Sequence, residues 1–237
     1  MRICVFGAGA TGGHFATRLA LAGHDVSVVA RGAHLQAILR NGLTLVRGDE
    51  KVSARVKASE NPADLGPQDV VIVGVKATGL KAAADAIGPL LTPETLVVFP
   101  QNGMAWWYPL GLSDNLPRPP ALAGFALADT FLKIMDESQI VGGSIYSANE
   151  VEEPGVVVNS SPNRNLLVVQ SISDRADARV AALRAALVQS GISSDEPADI
   201  RETMWRKLVM NASGSSLGLA AGVHSSEIRE DPELADA

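Results

Sequence analysis

The chain has 237 residues, 46% of them hydrophobic, which is enough for one large domain with a packed core and a smaller one after it. Its net charge of −6 argues against a nucleic-acid surface, which needs a basic face, and no apolar run is long enough to span a bilayer. The opening "MRICVFGAGA" lacks a signal-peptide pattern and the single cysteine cannot form an internal disulfide, so a reducing cytoplasm is the expected setting.

In chain order, "RICVF" reads as a strand, with Cys4 as a core thiol rather than a nucleophile. "GGHFATRLALAG" reads as a helix ended by Gly23, "DVSVVA" as a second strand, and "AHLQAILRNG" as a second helix with an Asn-Gly stop. "LTLVRGDEKVSARV" predicts a hairpin turning at Gly48 and Asp49. "DVVIVGV" and "TLVVFP" are continuous apolar strands on either side of the helix "LKAAADAIGPLL". That pattern marks a parallel sheet covered on both faces. "MAWWYPLGLSDNLPRPP" is rich in turn formers and predicts a long loop. Strand candidates follow at "IVGGSIYSA", "GVVVN" and "LLVVQ", then the amphipathic helix "DARVAALRAALVQSG". "ISSDEPAD" reads as a polar linker, which places a domain boundary between residues 1–196 and 197–237. The expected class is α/β: a Rossmann-type doubly wound sheet, then a smaller, all-helical C-terminal domain.

Gly7, Gly9 and Gly12 form Gly-x-Gly-x-x-Gly directly after a strand and at a helix start. In a dinucleotide fold the first glycine permits the turn, the second lets backbone approach a pyrophosphate, and the third lets helix and strand pack closely. The free N–H groups and dipole of the helix N-terminus favour the phosphates. The second strand ends in Ala30-Arg31-Gly32, where an NAD site would carry an acid. A guanidinium there matches a 2′-phosphate with forked, charge-assisted hydrogen bonds, so NADP is the expected cofactor. Lys76 and Asn102 follow two further strands, where ligands bind in such sheets, although Asn102-Gly103 is also a common turn pair. His14, His24, His34 and His224 show no ligand spacing, and no metal site is expected.

The segment from Asp199 opens a helix, with Asp199 and Glu202 spaced as a capping box. Met204, Trp205, Leu208, Val209 and Ala212 make its apolar face. Lys207, Asn211 and Ser215 recur at i, i+4 and i+8 on another side, with no acid among them. This stripe reads either as solvated surface or as a cavity lining in which Lys207 polarises a ketone and supplies a proton.

"GAGATGG", "ARGAHLQAILRNGL", "VKA", "QNGM" and "WRKLVMNA" together resemble the ketopantoate reductase (2-dehydropantoate 2-reductase) family, in that family's order. The resemblance implies NADPH-dependent reduction of a 2-keto acid, a small-molecule partner and, as an assembly, a homodimer; neither membrane nor nucleic acid is implied. It implies that Gly7, Ala8, Gly9, Ala10, Thr11 and Gly12 cradle the pyrophosphate while Arg31 holds the 2′-phosphate. Lys76 would lie along the cofactor, and Asn102 would orient nicotinamide ribose and substrate. Lys207 would be the general acid, with Asn211 touching substrate. Ser215 stands where the family often has a second asparagine, and Gly79 where it often has a glutamine. Relatives continue past "EIREDPELADA" with a helical region that supplies a glutamate and a serine; Glu227 matches a different position there. A shortened helical domain with exposed apolar surface is therefore expected. Trp106 and Trp107 are expected to pack down or join an interface rather than touch substrate.

Overall fold

The structure is a computed structural model that describes residues 1–113 and 116–221, with 214–221 as helical backbone only. It begins with β1 (Arg2–Phe6), α1 (Ala10–Leu21), β2 (Asp25–Val29) and α2 (Gly32–Asn41), as the apolar spacing predicts. The hairpin is β3 (Leu43–Arg47) with β4 (Glu50–Ala54), followed by the short β5 (Lys57–Ser59). Next come β6 (Val70–Val73), α3 (Leu80–Ala86) and β7 (Leu96–Phe99). The rest of the described chain comprises α4 (Leu127–Phe131), β8 (Ile140–Tyr146), β9 (Asn149–Glu153), β10 (Val156–Asn159), β11 (Leu166–Ser171), α5 (Ala178–Gln189) and α6 (Ile200–Ala221).

Seven strands form one sheet in the order β11-β8-β7-β6-β1-β2-β5, parallel except for the β8–β11 pair. Strand order reverses at β1: β2 and β5 extend to one side, β6 and β7 to the other. β6 and β7 are wholly buried and all apolar, as strands must be when both faces are covered. The two hairpins join through a parallel β3–β10 pair into a second sheet, β4-β3-β10-β9. This small sheet lies over α1, and a side chain at Gly13 would stand 2.8 Å from Val157 Cγ2.

Trp106 and Trp107 pack down, as expected, and are 3% and 1% exposed. Trp106 stacks on Phe131 at 4.4 Å. Helical turns over Ala123–Ala126 and α4 escape the periodicity because they are short. β9, "NEVEE", is a solvated edge strand and lacks an apolar signature. The supposed polar linker is no free spacer. Ser193 bridges Leu166, Ser194 Oγ donates to the Leu167 carbonyl at 2.7 Å, and Ile192 is buried. Its charge is answered by Arg184, which pairs with Glu196 at 2.9 Å.

Asp199 does cap α6, its carboxylate accepting from the N–H groups of Arg201 and Glu202 at 2.7 and 3.0 Å. The Glu202 side chain does not close a capping box, because Arg206 one turn on draws it into an ion pair of 2.7 Å. Arg201 pins the helix start to the tryptophan loop. Its guanidinium donates to the carbonyls of Tyr108 (3.1 Å), Ile172 (2.7 Å) and Leu110, and it pairs with Asp174 at 3.2 Å. Ile200 and Met204 enter the core, whereas Trp205 and Val209 of the expected apolar face are 43% and 61% exposed, and Met210 beside them is 52% exposed. Among the described residues no helix is long and apolar enough to cross a membrane, and no cluster of His, Cys, Asp and Glu could hold a metal ion.

Gly142 in β8 is where Trp107 crosses the sheet. A Cβ there would lie 2.6 Å from Trp107 Cζ2 and 2.9 Å from Ile200 Cγ1. Gly142→Ala should therefore cost about 1–3 kcal/mol, as overpacked cores do. Urea unfolding followed by tryptophan fluorescence measures it, and an unchanged midpoint would contradict this packing.

Candidate active site

β1 hands the chain to α1 through a turn in which Gly7 has φ +99°, a conformation other residues rarely adopt. A side chain at Gly12 would collide with the Gly7 carbonyl, and one at Gly74 would sit 2.6 Å from the same oxygen. Three glycines thus let the helix mouth, β1 and the end of β6 close together. Above Gly9, a Cβ would meet nothing within 4 Å, so the turn is open on that side. Gly9 is the N-cap of α1 and has no side-chain cap, leaving first-turn N–H groups for an outside acceptor. Dense packing below and open space above fit an anion such as a pyrophosphate.

The Gly7 and Ala8 N–H groups both donate to the Val29 carbonyl at 3.0 and 3.2 Å, bringing the end of β2 against this turn. Arg31 stands there as the N-cap residue of α2, exposed, and no carboxylate pairs with it among the described residues. Beyond the carboxyl ends of β1, β6 and β7 lies a cleft of about 420 Å³. Ala10, Thr11 and Gly12 line one side, Lys76 another, and Asn102 a third. Ile145 and Asn149 complete the wall from the β8–β9 side.

Lys207 is half-buried on α6, and its ammonium donates to the Ile145 carbonyl on that wall. It also sits 5.0 Å from the centre of the Tyr146 ring, where Arg164 approaches at 5.1 Å. Burial, and then the Arg164 charge, lower the Lys207 pKa to about 8. Among the described residues neither cation has a carboxylate partner, so the locus is positive. Asn211, one turn further, is exposed and contributes nothing to the cleft lining. The side chain of Ser215 and the position of Glu227 lie outside the described residues.

Sequence reasoning missed several contributors. Gly74 has the signal of a glycine ending an apolar strand, but its contact with Gly7 is visible only in three dimensions. Gln101 ties the strand ends together, donating to the carbonyls of Val73 and Val75 at 2.7 and 3.3 Å. Asn149 and Arg164 carry no motif, and folding alone brings them near the cleft or Lys207.

The family model described as ketopantoate reductase PanE/ApbA matches residues 3–170. A 2-dehydropantoate 2-reductase of Mesorhizobium japonicum is 38% identical over 223 residues, which cover 94% of this chain and 68% of that protein. A crystal structure of a ketopantoate-reductase-type protein from Ralstonia solanacearum superposes with a TM-score of 0.85 at 31% identity, covering 99% of this chain and 72% of the other. A PanE/ApbA family ketopantoate reductase from Ralstonia eutropha gives 0.71 at 29% identity, covering 89% of this chain and 61% of its own. The extent of the family match and the identity to the Mesorhizobium enzyme agree with the Rossmann-like cleft, and the chain belongs to the ketopantoate reductase family.

Proposed function

We propose that the chain is an NADPH-dependent oxidoreductase that reduces a 2-keto acid, with 2-dehydropantoate as substrate and pantoate as product. The observation that carries this reading is the tethering of Lys207 to Ile145 on the wall of a cleft that Ala10, Thr11, Gly12, Lys76 and Asn102 also line. Bound in that cleft, NADPH supplies the hydride that the ketone carbon receives. Gly7, Ala8, Gly9, Ala10, Thr11 and Gly12 hold its pyrophosphate and Arg31 its 2′-phosphate, Lys76 lies along it, and Asn102 orients its nicotinamide ribose. Lys207 delivers a proton to the ketone oxygen, while the charges of Lys207 and Arg164 favour the substrate carboxylate. Asn102, Asn211 and Ser215 orient that substrate. The division at residue 196 goes with this reading, residues 197–237 opening the helical, substrate-side unit. The free, buried Cys4 fits a reducing cytoplasm.

A second reading is an NADP-binding protein without turnover in this form. The exposed Trp205 and Val209 favour it, since among the described residues nothing covers that face of the Lys207 helix. Mixing the chain with NADPH and 2-dehydropantoate separates the two. Loss of absorbance at the reduced nicotinamide band supports turnover; a raised melting temperature without that loss supports binding alone.

Lys207→Ala should lower kcat by about 10²–10⁴-fold and leave the NADPH dissociation constant within about twofold. Because burial brings this ammonium to about 8, the wild-type reduction rate should fall as pH rises through that value. Wild-type turnover in the variant, or a rate rising above pH 8, contradicts the general-acid role.

Arg31→Ala should weaken NADPH binding by about 10–100-fold through the lost charge-assisted hydrogen bonds and change NADH binding little. Equal losses for both, measured by fluorescence titration, would remove the 2′-phosphate assignment.

A further inference from the structure

We propose that His34 is a positioning residue of the cofactor site: it ties the glycine turn to the β9–β10 hairpin and so aims the turn's backbone. The inference rests on the NADPH reading above. Two hydrogen bonds carry it. His34 Nε2 lies 2.7 Å from the Ala8 carbonyl oxygen, and the Gly155 N–H donates to His34 Nδ1 at 3.1 Å. The second bond decides the first. A backbone N–H can only donate, so Nδ1 is the bare nitrogen, Nε2 carries the proton, and Nε2–H donates to Ala8.

Both backbone groups are buried, Ala8 at 1% exposure and Gly155 in the turn before β10, so neither can turn to water instead. The Ala8 carbonyl shares a planar trans peptide with the Gly9 N–H, which therefore points the opposite way. Fixing that carbonyl fixes the direction of the Gly9 N–H at the open mouth of α1. That N–H makes no hydrogen bond among the described residues. On either side stand glycines, whose backbone resists rotation least, so a tether at Ala8 acts where the turn is softest. The ring is also too fully engaged to serve as a metal ligand. The second sheet, which reaches the cleft lining only at its edge, thereby acts on the cofactor turn through one imidazole.

Amide side chains separate the two bonds. In His34→Gln the amide nitrogen can take the place of Nε2 and donate to Ala8, without an acceptor for Gly155. In His34→Asn the amide oxygen can take the place of Nδ1 and accept from Gly155, leaving the Ala8 carbonyl without its donor. NADPH titrations by fluorescence should show dissociation constants raised about tenfold in His34→Asn and His34→Ala, and within about threefold of wild type in His34→Gln. Melting temperatures of the cofactor-free proteins should fall by similar amounts in the Asn and Gln variants. In amide NMR spectra without cofactor, the Gly9 resonance should move in His34→Asn and stay in His34→Gln. A wild-type chain that fails to bind NADPH sinks the cofactor reading and leaves the Gly9 resonance to judge the tether. Asn and Gln variants that shift Gly9 equally, or binding losses that simply follow melting temperature, overturn the proposal.

Discussion

The carbonyl of Gly7 sits in a gap that no side chain can share. Gly12 on α1 and Gly74 after β6 both close on this oxygen, and Gly7 itself takes a left-handed turn to place it there. With a methyl group at either neighbour, α1 would stand off from the sheet, and its first-turn N–H groups would no longer face the cleft. The parallel sheet, the reversal of strand order at β1 and the open space over Gly9 all converge on this contact. Its cost is the conformational freedom of glycines in the unfolded chain; its return is a helix end bare of side chains and ready for an anion.

A second constraint sets where Lys207 stands. α6 starts only where Asp199 caps it and Arg201 gathers the carbonyls of the tryptophan loop. Three side chains from the first turns, Ile200, Arg201 and Met204, are buried, which fixes the helix in rotation as well as position. Lys207 follows on the side that meets Ile145 and Tyr146, and the same burial that seats it brings its ammonium down to about 8. Position and proton affinity thus share one origin. Among the described residues nothing comparable covers the opposite side, where Trp205 and Val209 meet solvent.

Much of the large sheet was legible from the sequence because β6 and β7 are apolar throughout, β1 is apolar after Arg2, β2 is rich in valine, and the helices between them end in glycines or turns. The glycine turn was legible for the same reason: its spacing encodes a local geometry. Arg31, Lys76 and Asn102 could be placed by counting from strand ends, since those ends are where a doubly wound sheet opens. The remainder depended on contacts between distant segments. "NEVEE" has no apolar face because as an edge strand it needs none. The linker looked polar because its serines serve as hydrogen-bond partners for the edge of β11. The Glu202 of an apparent capping box went instead to Arg206, a competition between two local partners that spacing cannot decide.

The small sheet has a bearing on how the chain acquires its shape. β3 belongs to the first fifth of the sequence, yet its parallel partner β10 arrives far later; the nearby His34–Gly155 bond spans 121 residues. A ribosome would release the complete dinucleotide turn long before the strand that braces it. Loop closure of that size is slow compared with forming a hairpin or a helix. The nascent N-terminal segment must therefore wait, with one side of α1 bare, until the second hairpin emerges to cover it.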